Sequence, residues 1–349
     1  MKILMIGSDQ VWSLERIYYK YFVEAGVDVI VYPVQNYFYT WYNRSVLNKI
    51  IYRLGLSGIL KEINRALCSK VEEADPEAVL VFKGMEVLPA TLKWMKSRNI
   101  FLANYNPDNP FIFSGAGSGN ENVTRSIPLY DLHFTYNLEI QRQLDALGCR
   151  TALLPFGYDI ADSLYEACGQ QEEIVKACFL GNPDQDRAMF IEGLAQAGVE
   201  IDVYGHSWEK FVKHPGITVF PPVYGDDFWK VLRRYRVQLN LMRKHNEDSH
   251  NMRSFEIPGV GGIMLAPDTR EHRLFFEDGK EVFLFTGAAD CADQVRRLLN
   301  LSPESAKEIR MAARARSLKG GYSYKDRAGS ALDQIRSMKF SGSLTNGSL

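Results

Sequence analysis

The sequence lacks the features that mark several protein classes. Its 349 residues include only five cysteines, which are scattered and form no C-x-x-C pair, and this argues against a disulfide framework or a cysteine-based zinc site. No run approaches the roughly 18 uninterrupted apolar residues of a membrane-spanning helix. The N-terminal MKILMIG is too short for the apolar core of a signal peptide and is typical of a first strand. We therefore expect a cytoplasmic protein.

An excess of charge of one sign is also missing. The 41 basic and 42 acidic residues give a net charge of -1, which argues against a nucleic-acid-binding protein that depends on bulk electrostatics. The first strand-to-helix turn, MIGSDQVW, lacks the G-x-G-x-x-G fingerprint, so an NAD-dependent oxidoreductase is disfavoured. Any anion-binding site must therefore be local.

Short apolar runs alternate with helix-like stretches along both halves of the chain. KILMIG and AVLVFKG are examples in the first half, and IVKACFLG restarts the pattern at residue 174. Uniformly apolar strands between helices predict parallel sheets covered on both faces. We expect an α/β protein with two Rossmann-like domains facing across a cleft. The predicted parts are an N-terminal domain (1–157), a linker (158–173), a C-terminal domain (174–320), a helix packing back on the N-terminal domain (321–339) and a disordered tail (340–349).

Residues 36–70 stand outside this pattern. They are rich in aromatic residues and carry six basic residues against one acid, Glu62. Two interpretations are open. The segment could form a basic amphipathic surface that meets anionic lipid at the inner face of the membrane, or its helices could pack an aromatic face on the first sheet, as apolar helix stripes usually do.

A polar loop follows the predicted strand VQLNLM. It crowds side chains of nearly every catalytically useful type into a short stretch, namely His245, Asp248, His250, Asn251, Arg253 and Glu256. Arg253 at a helix N-terminus would supply positive charge and N–H donors to an anionic leaving group, and Glu256 could accept hydrogen bonds from a diol such as ribose. Alternatively, Asn251 only caps the helix and Arg253 only pairs with Glu256.

The segment FLGNPDQDR is a second candidate. Gly181 ends a strand there and Arg187 lies at the start of a helix, where free N–H groups could hold a diphosphate. A plain strand-to-helix turn explains the pattern equally well. Asp184-Gln185-Asp186 within it could bind a divalent metal, but an acidic residue at a helix start is favoured by the helix dipole alone. We prefer the capping interpretation and expect no metal or other cofactor.

The stretch from about 174 to 300 resembles the C-terminal domain of GT-B glycosyltransferases. The resembling pieces include FLGNPDQDR, IDVYGHSW, LNLMR, NMRSFEIPGVGGIMLAPDTRE and FFEDGKEVFLF. Within that fold the chain is similar to the spore maturation protein CgeB-like group and to retaining glycosyltransferases of group 1. The resemblance implies a nucleotide-sugar donor site in the C-terminal domain, an acceptor side in the N-terminal domain, and metal-independent, retaining transfer.

The resemblance also implies roles for particular residues. It assigns donor binding to Gly181, Arg187, Tyr204, Gly205, Val223, Tyr224, His250, Asn251, Arg253 and Glu256. Two glutamates eight positions apart are typical of the family; Glu256 matches the second, and Asp248 stands where the first is expected. We expect catalytic roles for Asp248, Arg253 and Asp108, the last as a general base if transfer inverts the anomeric centre.

The acceptor is left open as a glycan, a lipid-linked compound or a small molecule. His133 is a further acceptor-side candidate, although a lone histidine among apolar residues is more often part of a core. Two other functions fit the same residues: a non-catalytic protein that binds a nucleotide sugar or a glycan, and a sugar-nucleotide epimerase of the same fold.

Overall fold

The chain forms two compact units. The structure, a computed structural model, describes residues 1–113, 117–243 and 248–345, with side chains described through residue 339. Unit 1 comprises Met1–Pro155 and Tyr324–Leu349, and unit 2 comprises Phe156–Ser323. The chain therefore leaves unit 1, completes unit 2 and returns to unit 1 for its last helix.

Unit 1 is built on a parallel six-stranded sheet. Its strands are β1 (Lys2–Ile6), β2 (Asp28–Tyr32), β3 (Ala78–Phe82), β4 (Phe101–Asn106), β5 (Leu132–Thr135) and β6 (Thr151–Leu153). The strand order is β2-β1-β3-β4-β5-β6. β3 is buried at every position, as expected of a central strand whose two faces are both covered by helices.

Eight helices belong to unit 1 among the described residues. They are α1 (Leu14–Glu24), α2 (Val34–Asn43), α3 (Val46–Arg53), α4 (Ile59–Ala74), α5 (Pro89–Lys96), α6 (Glu121–Ser126), α7 (Leu138–Ala146) and the last helix of the chain, Tyr324–Thr345. Ser13 caps α1 by accepting a hydrogen bond from the Arg16 backbone N–H, which satisfies one of the free donors at the helix start. The Tyr324 ring packs on Tyr18 of α1 with a centroid distance of 6.1 Å, so the returning helix shares the unit 1 core.

Unit 2 contains a second parallel six-stranded sheet. Its strands are β7 (Ile174–Leu180), β8 (Ile201–Tyr204), β9 (Ile217–Phe220), β10 (Tyr235–Leu239), β11 (Met264–Pro267) and β12 (Phe283–Phe285). Their order is β12-β11-β10-β7-β8-β9, so the strand order reverses between β7 and β10. Ligands of open α/β sheets bind at the carboxyl ends of the strands at such a point.

The helices of unit 2 cover both faces of this sheet. They are α8 (Asp162–Gly169), α9 (Gln185–Gln196), α10 (Gly225–Arg234), α11 (Arg253–Gly259), α12 (Arg270–Phe275), α13 (Ala288–Leu299) and α14 (Pro303–Lys319); the returning helix Tyr324–Thr345 is α15. A buried core joins α9 and α13 to the sheet through residues such as Ile191, Val203, Leu239 and Val295.

A buried charge cluster ties β7, β10 and α14 together. The Glu173 carboxylate accepts hydrogen bonds from Arg236 Nε (2.8 Å) and from Arg310 Nη2 (2.7 Å). Both arginines are almost fully buried. Burial, together with repulsion from Arg233, lowers the pKa of Arg310 to about 10. The single carboxylate therefore compensates two positive charges that have little access to water.

The predicted fold class is confirmed by the two parallel sheets and their flanking helices. The predicted linker, 158–173, carries α8 within unit 2. For the tail predicted at 340–349, the structure describes α15 as continuing to Thr345; helix propagation from a packed segment adds one hydrogen bond for each residue fixed. Residues 346–349 lie outside the described residues. No described helix has the length and apolar character needed to span a membrane.

In the segment 36–70, the structure supports the core-packing interpretation for α2 and α4. α2 and α4 bury Phe38, Ile63 and Leu67 in the unit 1 core, in agreement with aromatic and aliphatic faces packing on the sheet. α3, which lies between them, buries none of its residues.

Candidate functional site

A cavity of about 250 Å³ opens at the carboxyl ends of β7 and β8. We call it the β8 pocket. Its lining includes six of the residues predicted to bind the donor, which are Gly181, Tyr204, Gly205, Val223, Tyr224 and Arg253. These residues lie on four separate stretches of sequence, and the strand order brings them to one edge of the sheet.

Close backbone approach shapes one wall of the β8 pocket. The Trp208 indole Nε1–H donates a hydrogen bond to the Gly181 carbonyl oxygen (2.8 Å). A Cβ added at Gly205 would overlap that carbonyl group and would lie 2.9 Å from the Trp208 Nε1. Glycine at position 205 is therefore required by the contact between the β7 and β8 ends.

We expect Gly205→Ala to distort the β8 pocket and to destabilise unit 2 by about 1–3 kcal/mol, the usual cost of overpacking a closely packed site. Chemical denaturation and nucleotide binding would measure the two effects. Gly193→Ala on α9 is the matched control, because a Cβ there meets no atom within 4 Å. Unchanged stability and binding in Gly205→Ala would contradict the tight approach.

Aromatic side chains close another side of the same pocket. The Tyr204 and Phe220 rings stack with centroids 4.8 Å apart. The Tyr204 hydroxyl lies 2.8 Å from the Tyr235 hydroxyl, which in turn donates to Asp202 Oδ2 (2.7 Å). Tyr204 is thus fixed by a stack and by a hydrogen-bond chain, so it presents a rigid planar surface to any base that enters.

Arg187 lies at the point where the strand order reverses. Its Nη1 donates to the Asn182 carbonyl oxygen after β7 (3.3 Å), and its Nη2 donates to the Leu241 carbonyl oxygen after β10 (2.8 Å). Its Nε is buried and has no hydrogen-bond partner among the described residues. Burial, together with repulsion from Arg243 and Arg253, lowers the pKa of Arg187 to about 10. A buried donor beside two further cations is suited to an anion.

The sequence left two interpretations of Arg253 open, namely an ion pair with Glu256 and a contact with an anionic ligand. Its guanidinium pairs with the Glu256 carboxylate, and its Nε donates to the Leu180 carbonyl oxygen at the end of β7 (3.3 Å). The guanidinium also stacks over the Phe228 ring at 4.3 Å. Arg253 is therefore held by three partners and still lines the β8 pocket, while the buried Glu256 lies directly behind it.

A second cavity, the β10 pocket, has a volume of about 280 Å³ and lies beyond the ends of β10 and β11. Its lining includes Arg187, Asp248 and Asp268. Asp248 adopts a left-handed backbone (φ 57°), and its Oδ1 accepts a hydrogen bond from the Arg270 backbone N–H (2.7 Å). The structure thus places Asp248 with Arg187 in one pocket and Arg253 in the other. His245 lies outside the described residues.

His250 and Asn251, predicted to bind the donor, lie in a buried polar network and line neither pocket. His250 Nδ1 lies 2.6 Å from Glu271 Oε2. Asn251 Nδ2 donates to Asn240 Oδ1 (2.8 Å), and Ser254 Oγ, 2.8 Å from His272 Nε2, continues the network. These bonds fix the loop between β10 and α11, so both residues position the side chains that face the pockets.

Asp184 acts as the cap of α9. Its Oδ1 accepts a hydrogen bond from the Arg187 backbone N–H (2.9 Å), in agreement with the capping interpretation of the D-Q-D sequence. Within the described parts of the chain, no three His, Cys, Asp or Glu side chains form a cluster suited to a metal ion.

Unit 1 has its own cavity, of about 410 Å³, at the carboxyl edge of its sheet. Trp12, Glu15, Gln35, Tyr39 and Lys83 are among the residues that line it. Glu15 is buried, and this burial raises the pKa of its carboxyl group.

The two acceptor-side candidates from the sequence lie elsewhere in unit 1. Asp108 forms an ion pair with Lys83 (2.6 Å) and so contacts the unit 1 pocket through that lysine. His133 is buried, its Nε2 lies 2.8 Å from the Ile127 carbonyl oxygen, and burial lowers its pKa. His133 is therefore a core residue.

Several residues of these sites were not predicted from the sequence, and Arg243, Phe228 and Glu15 are three of them. Arg243 directly follows the strand-like run VQLNLM, a position that could have drawn attention to it. Phe228, which supports Arg253, lies in α10, and the face that this helix turns to the site is not evident from spacing. Glu15 lies in the first turn of α1, where an acidic residue is expected for helix stability alone.

Comparison with known proteins finds a family match that covers most of unit 2 and the start of α15. Residues 187–333 match a family described as glycosyl transferase-like. Among curated proteins, none matches the sequence.

Solved structures resemble the whole chain at low sequence identity. Sucrose-phosphate synthase from Thermosynechococcus elongatus has a TM-score of 0.68 at 10% identity, covering 97% of this chain and 99% of that one. HepE of Anabaena in complex with UDP-glucose has a TM-score of 0.66 at 12% identity, covering 97% and 100%. UDP-GlcNAc 2-epimerase from Neisseria meningitidis, bound to UDP-GlcNAc, has a TM-score of 0.57 at 11% identity, covering 97% and 100%. The chain therefore has the GT-B fold, and residues 187–333 match a glycosyl transferase-like family.

Proposed function

We propose that the protein is a glycosyltransferase that moves a sugar from a nucleotide-sugar donor to an acceptor hydroxyl without a metal ion and with retention at the anomeric carbon. The observation that carries the proposal is the set of three arginines at the β7–β10 reversal point: Arg187 bonds to the chain beyond β7 and β10, Arg253 bonds to the end of β7, and Arg243 shares the Asp184 carboxylate with Arg187. Positive charge held in place before the reaction stabilises a departing diphosphate. The family match of unit 2 and the UDP-glucose in HepE support the same assignment.

We assign different parts of the nucleotide-sugar donor to the two pockets of unit 2. In this proposal the nucleoside occupies the β8 pocket, with its base near the rigid Tyr204 ring and its ribose near the Arg253–Glu256 pair. The diphosphate lies against Arg187, whose guanidinium contacts the chain beyond both β7 and β10. The sugar then extends into the β10 pocket, where Asp248 and Asp268 offer acceptors for sugar hydroxyls.

The unit 1 pocket is the proposed acceptor site. Aromatic side chains of Trp12 and Tyr39 line it beside the amide group of Gln35, a combination that suits the apolar faces and the hydroxyl groups of a saccharide. Glu15 would accept a hydrogen bond from an acceptor hydroxyl. Asp108 is the alternative general base for an inverting reaction, and its carboxylate is paired with Lys83.

The finer assignments rest on the resemblance. Retention and membership in the CgeB-like group follow from the matching motifs in unit 2, and transfer of a hexose is the corresponding expectation. A sugar-nucleotide epimerase is the second candidate, favoured by the structural similarity to the Neisseria meningitidis enzyme. A non-catalytic donor-binding protein is the third, because Asp248 replaces the family's first glutamate.

The test is calorimetric titration with UDP, GDP, ADP, dTDP and CMP in the presence of EDTA. We expect one nucleotide to bind the wild-type protein, and we expect Glu256→Ala to weaken that binding at least tenfold, because the ribose loses an acceptor and Arg253 loses its partner. Glu277→Ala, at an exposed acidic residue, is the matched control. Absence of binding by every nucleotide would refute the donor site.

Incubation of the matching nucleotide sugar then separates the three functions. A transferase releases nucleoside diphosphate only when a suitable saccharide acceptor is supplied, and NMR of the product shows whether the anomeric configuration is retained. An epimerase changes the donor sugar with no acceptor present. A protein that binds the donor and catalyses neither reaction across a broad acceptor set would be a binding protein. Glu15→Gln should lower transfer while leaving donor affinity unchanged.

A further inference from the structure

Helix α3 of unit 1 exposes an unusual amount of aliphatic surface. The fractional exposures of Val46, Leu47, Ile50 and Leu54 are 75%, 62%, 47% and 66%. We call these four residues the α3 stripe. None of the eight residues of α3 is buried, so the helix gains little from the unit 1 core.

The α3 stripe occupies one side of the helix. At 100° per residue its four members fall within an arc of about 100°, and the Leu54 backbone is still helical. Tyr52 lies opposite this arc and packs on Phe38 and Tyr42, with ring centroids 4.8 Å and 5.7 Å away. The aromatic side thus attaches α3 to α2, and the aliphatic side faces away from that contact.

Positive charge flanks the stripe. Residues 43–57 contain Arg44, Lys49 and Arg53 and no acidic residue, although the whole chain carries 41 basic and 42 acidic residues. The Lys49 Nζ lies 5.5 Å from the centroid of the Tyr42 ring, which keeps the ammonium group beside the helix. Aliphatic surface and unopposed positive charge therefore coincide on one short element.

This combination favours a lipid surface over a protein partner. A stable protein interface buries about 1,200–2,000 Å², which four aliphatic side chains cannot approach. An interfacial helix needs only an apolar face that enters the acyl boundary and basic residues that contact anionic headgroups. We propose that α3 docks unit 1 on anionic membranes, with the α3 stripe inserted and Arg44, Lys49 and Arg53 among the headgroups. This inference does not depend on the proposed transferase activity.

The test is co-sedimentation of the 349-residue protein with phosphatidylcholine vesicles and with vesicles in which about 30% of the lipid is phosphatidylglycerol. We expect binding to the anionic vesicles only, with a partition coefficient that falls as salt is added. Leu47→Asp/Ile50→Asp should reduce binding at least tenfold. Lys49→Glu/Arg53→Glu should reduce it about thirtyfold or more, because each basic residue near the surface contributes about a factor of five.

Matched variants elsewhere on the surface provide the controls. Leu318→Asp changes an aliphatic residue of α14 that is 58% exposed, and Lys307→Glu/Lys319→Glu makes the same charge change on exposed residues of α14. Both should bind anionic vesicles like the wild type.

Three outcomes would overturn the proposal. These are failure of the wild-type protein to bind, equal binding to both vesicle types, and equal loss of binding in the control variants. A wild-type dimer in solution that Leu47→Asp/Ile50→Asp converts to monomer would instead assign the α3 stripe to self-association. Calorimetric nucleotide binding should be unchanged in every α3 variant, which separates this result from the test of the donor site.

Discussion

Substitution of Arg187 by methionine is expected to weaken nucleoside diphosphate binding by about ten- to hundredfold, the range for a lost hydrogen bond to a charged group. The buried Nε of Arg187 makes no hydrogen bond among the described residues and lies 3.7 Å from Asp184 Oδ2, so an anion at the reversal point would have a donor left to bond. Transfer should fall further than binding, because negative charge grows on the diphosphate as the sugar departs. Titration calorimetry and the rate of donor consumption measure the two effects.

Two companion variants make the Arg187 result interpretable. Arg243→Met should have a smaller effect, because the Arg243 side chain is about half exposed and its charge is screened by solvent. Arg142→Met, at an exposed arginine of α7, should change neither quantity. The melting temperature without nucleotide must be compared as well, since Arg187 also bridges two loops. Wild-type affinity in Arg187→Met would remove the diphosphate from this position.

Replacement of Glu173 by glutamine is expected to lower the free energy of unfolding by about 3–5 kcal/mol, the usual cost of leaving buried charges uncompensated. Arg236 and Arg310 would both lose their carboxylate. Urea denaturation measures the loss. Amide hydrogen exchange should become faster in β7 and β10 and should not change in β1 and β3. Glu172→Gln, at the exposed neighbouring position, should be neutral; equal destabilisation by both variants would contradict the argument.

The pH dependence of the Glu173 variant gives an independent check. Partial burial raises the pKa of this carboxyl group, but hydrogen bonds from Arg236 and Arg310 more than offset that effect, and the pKa is lowered overall. A lowered pKa contributes stability that is present above the unfolded-state value of about 4.3 and disappears as the pH falls through the folded-state value. The difference between wild type and Glu173→Gln should therefore be constant near neutral pH and shrink below about pH 4.

The order of strands and helices could be predicted well because it depends on local pattern. A fully apolar run such as β3 can be stable only between two covering layers, and the restart at residue 174 marks the second sheet. The residue at which a helix ends depends less on local sequence pattern. α15 runs to Thr345 through a Gly/Ser-rich stretch that composition alone assigns to disorder.

The candidate site was only partly predictable, because spacing does not reveal which side chains are already engaged. Arg253 and Glu256 form the ion pair that their separation of three allows, and Arg253 still reaches the β8 pocket. His250 has the composition of a ligand-binding residue, yet it is buried against Glu271, more than twenty positions along the chain. Contacts of that range are set by tertiary packing, so no local pattern predicts them.

The return of the chain to unit 1 has a consequence for biosynthesis. Unit 2 is one continuous stretch, whereas unit 1 needs α15 to cover Tyr18 and α1. As the polypeptide leaves the ribosome, unit 2 has all of its residues before unit 1 does, although it is made later than most of unit 1. The apolar surface of unit 1 that α15 covers therefore stays exposed until the last helix has emerged from the ribosome. During this interval the nascent chain is most exposed to chaperones and to aggregation.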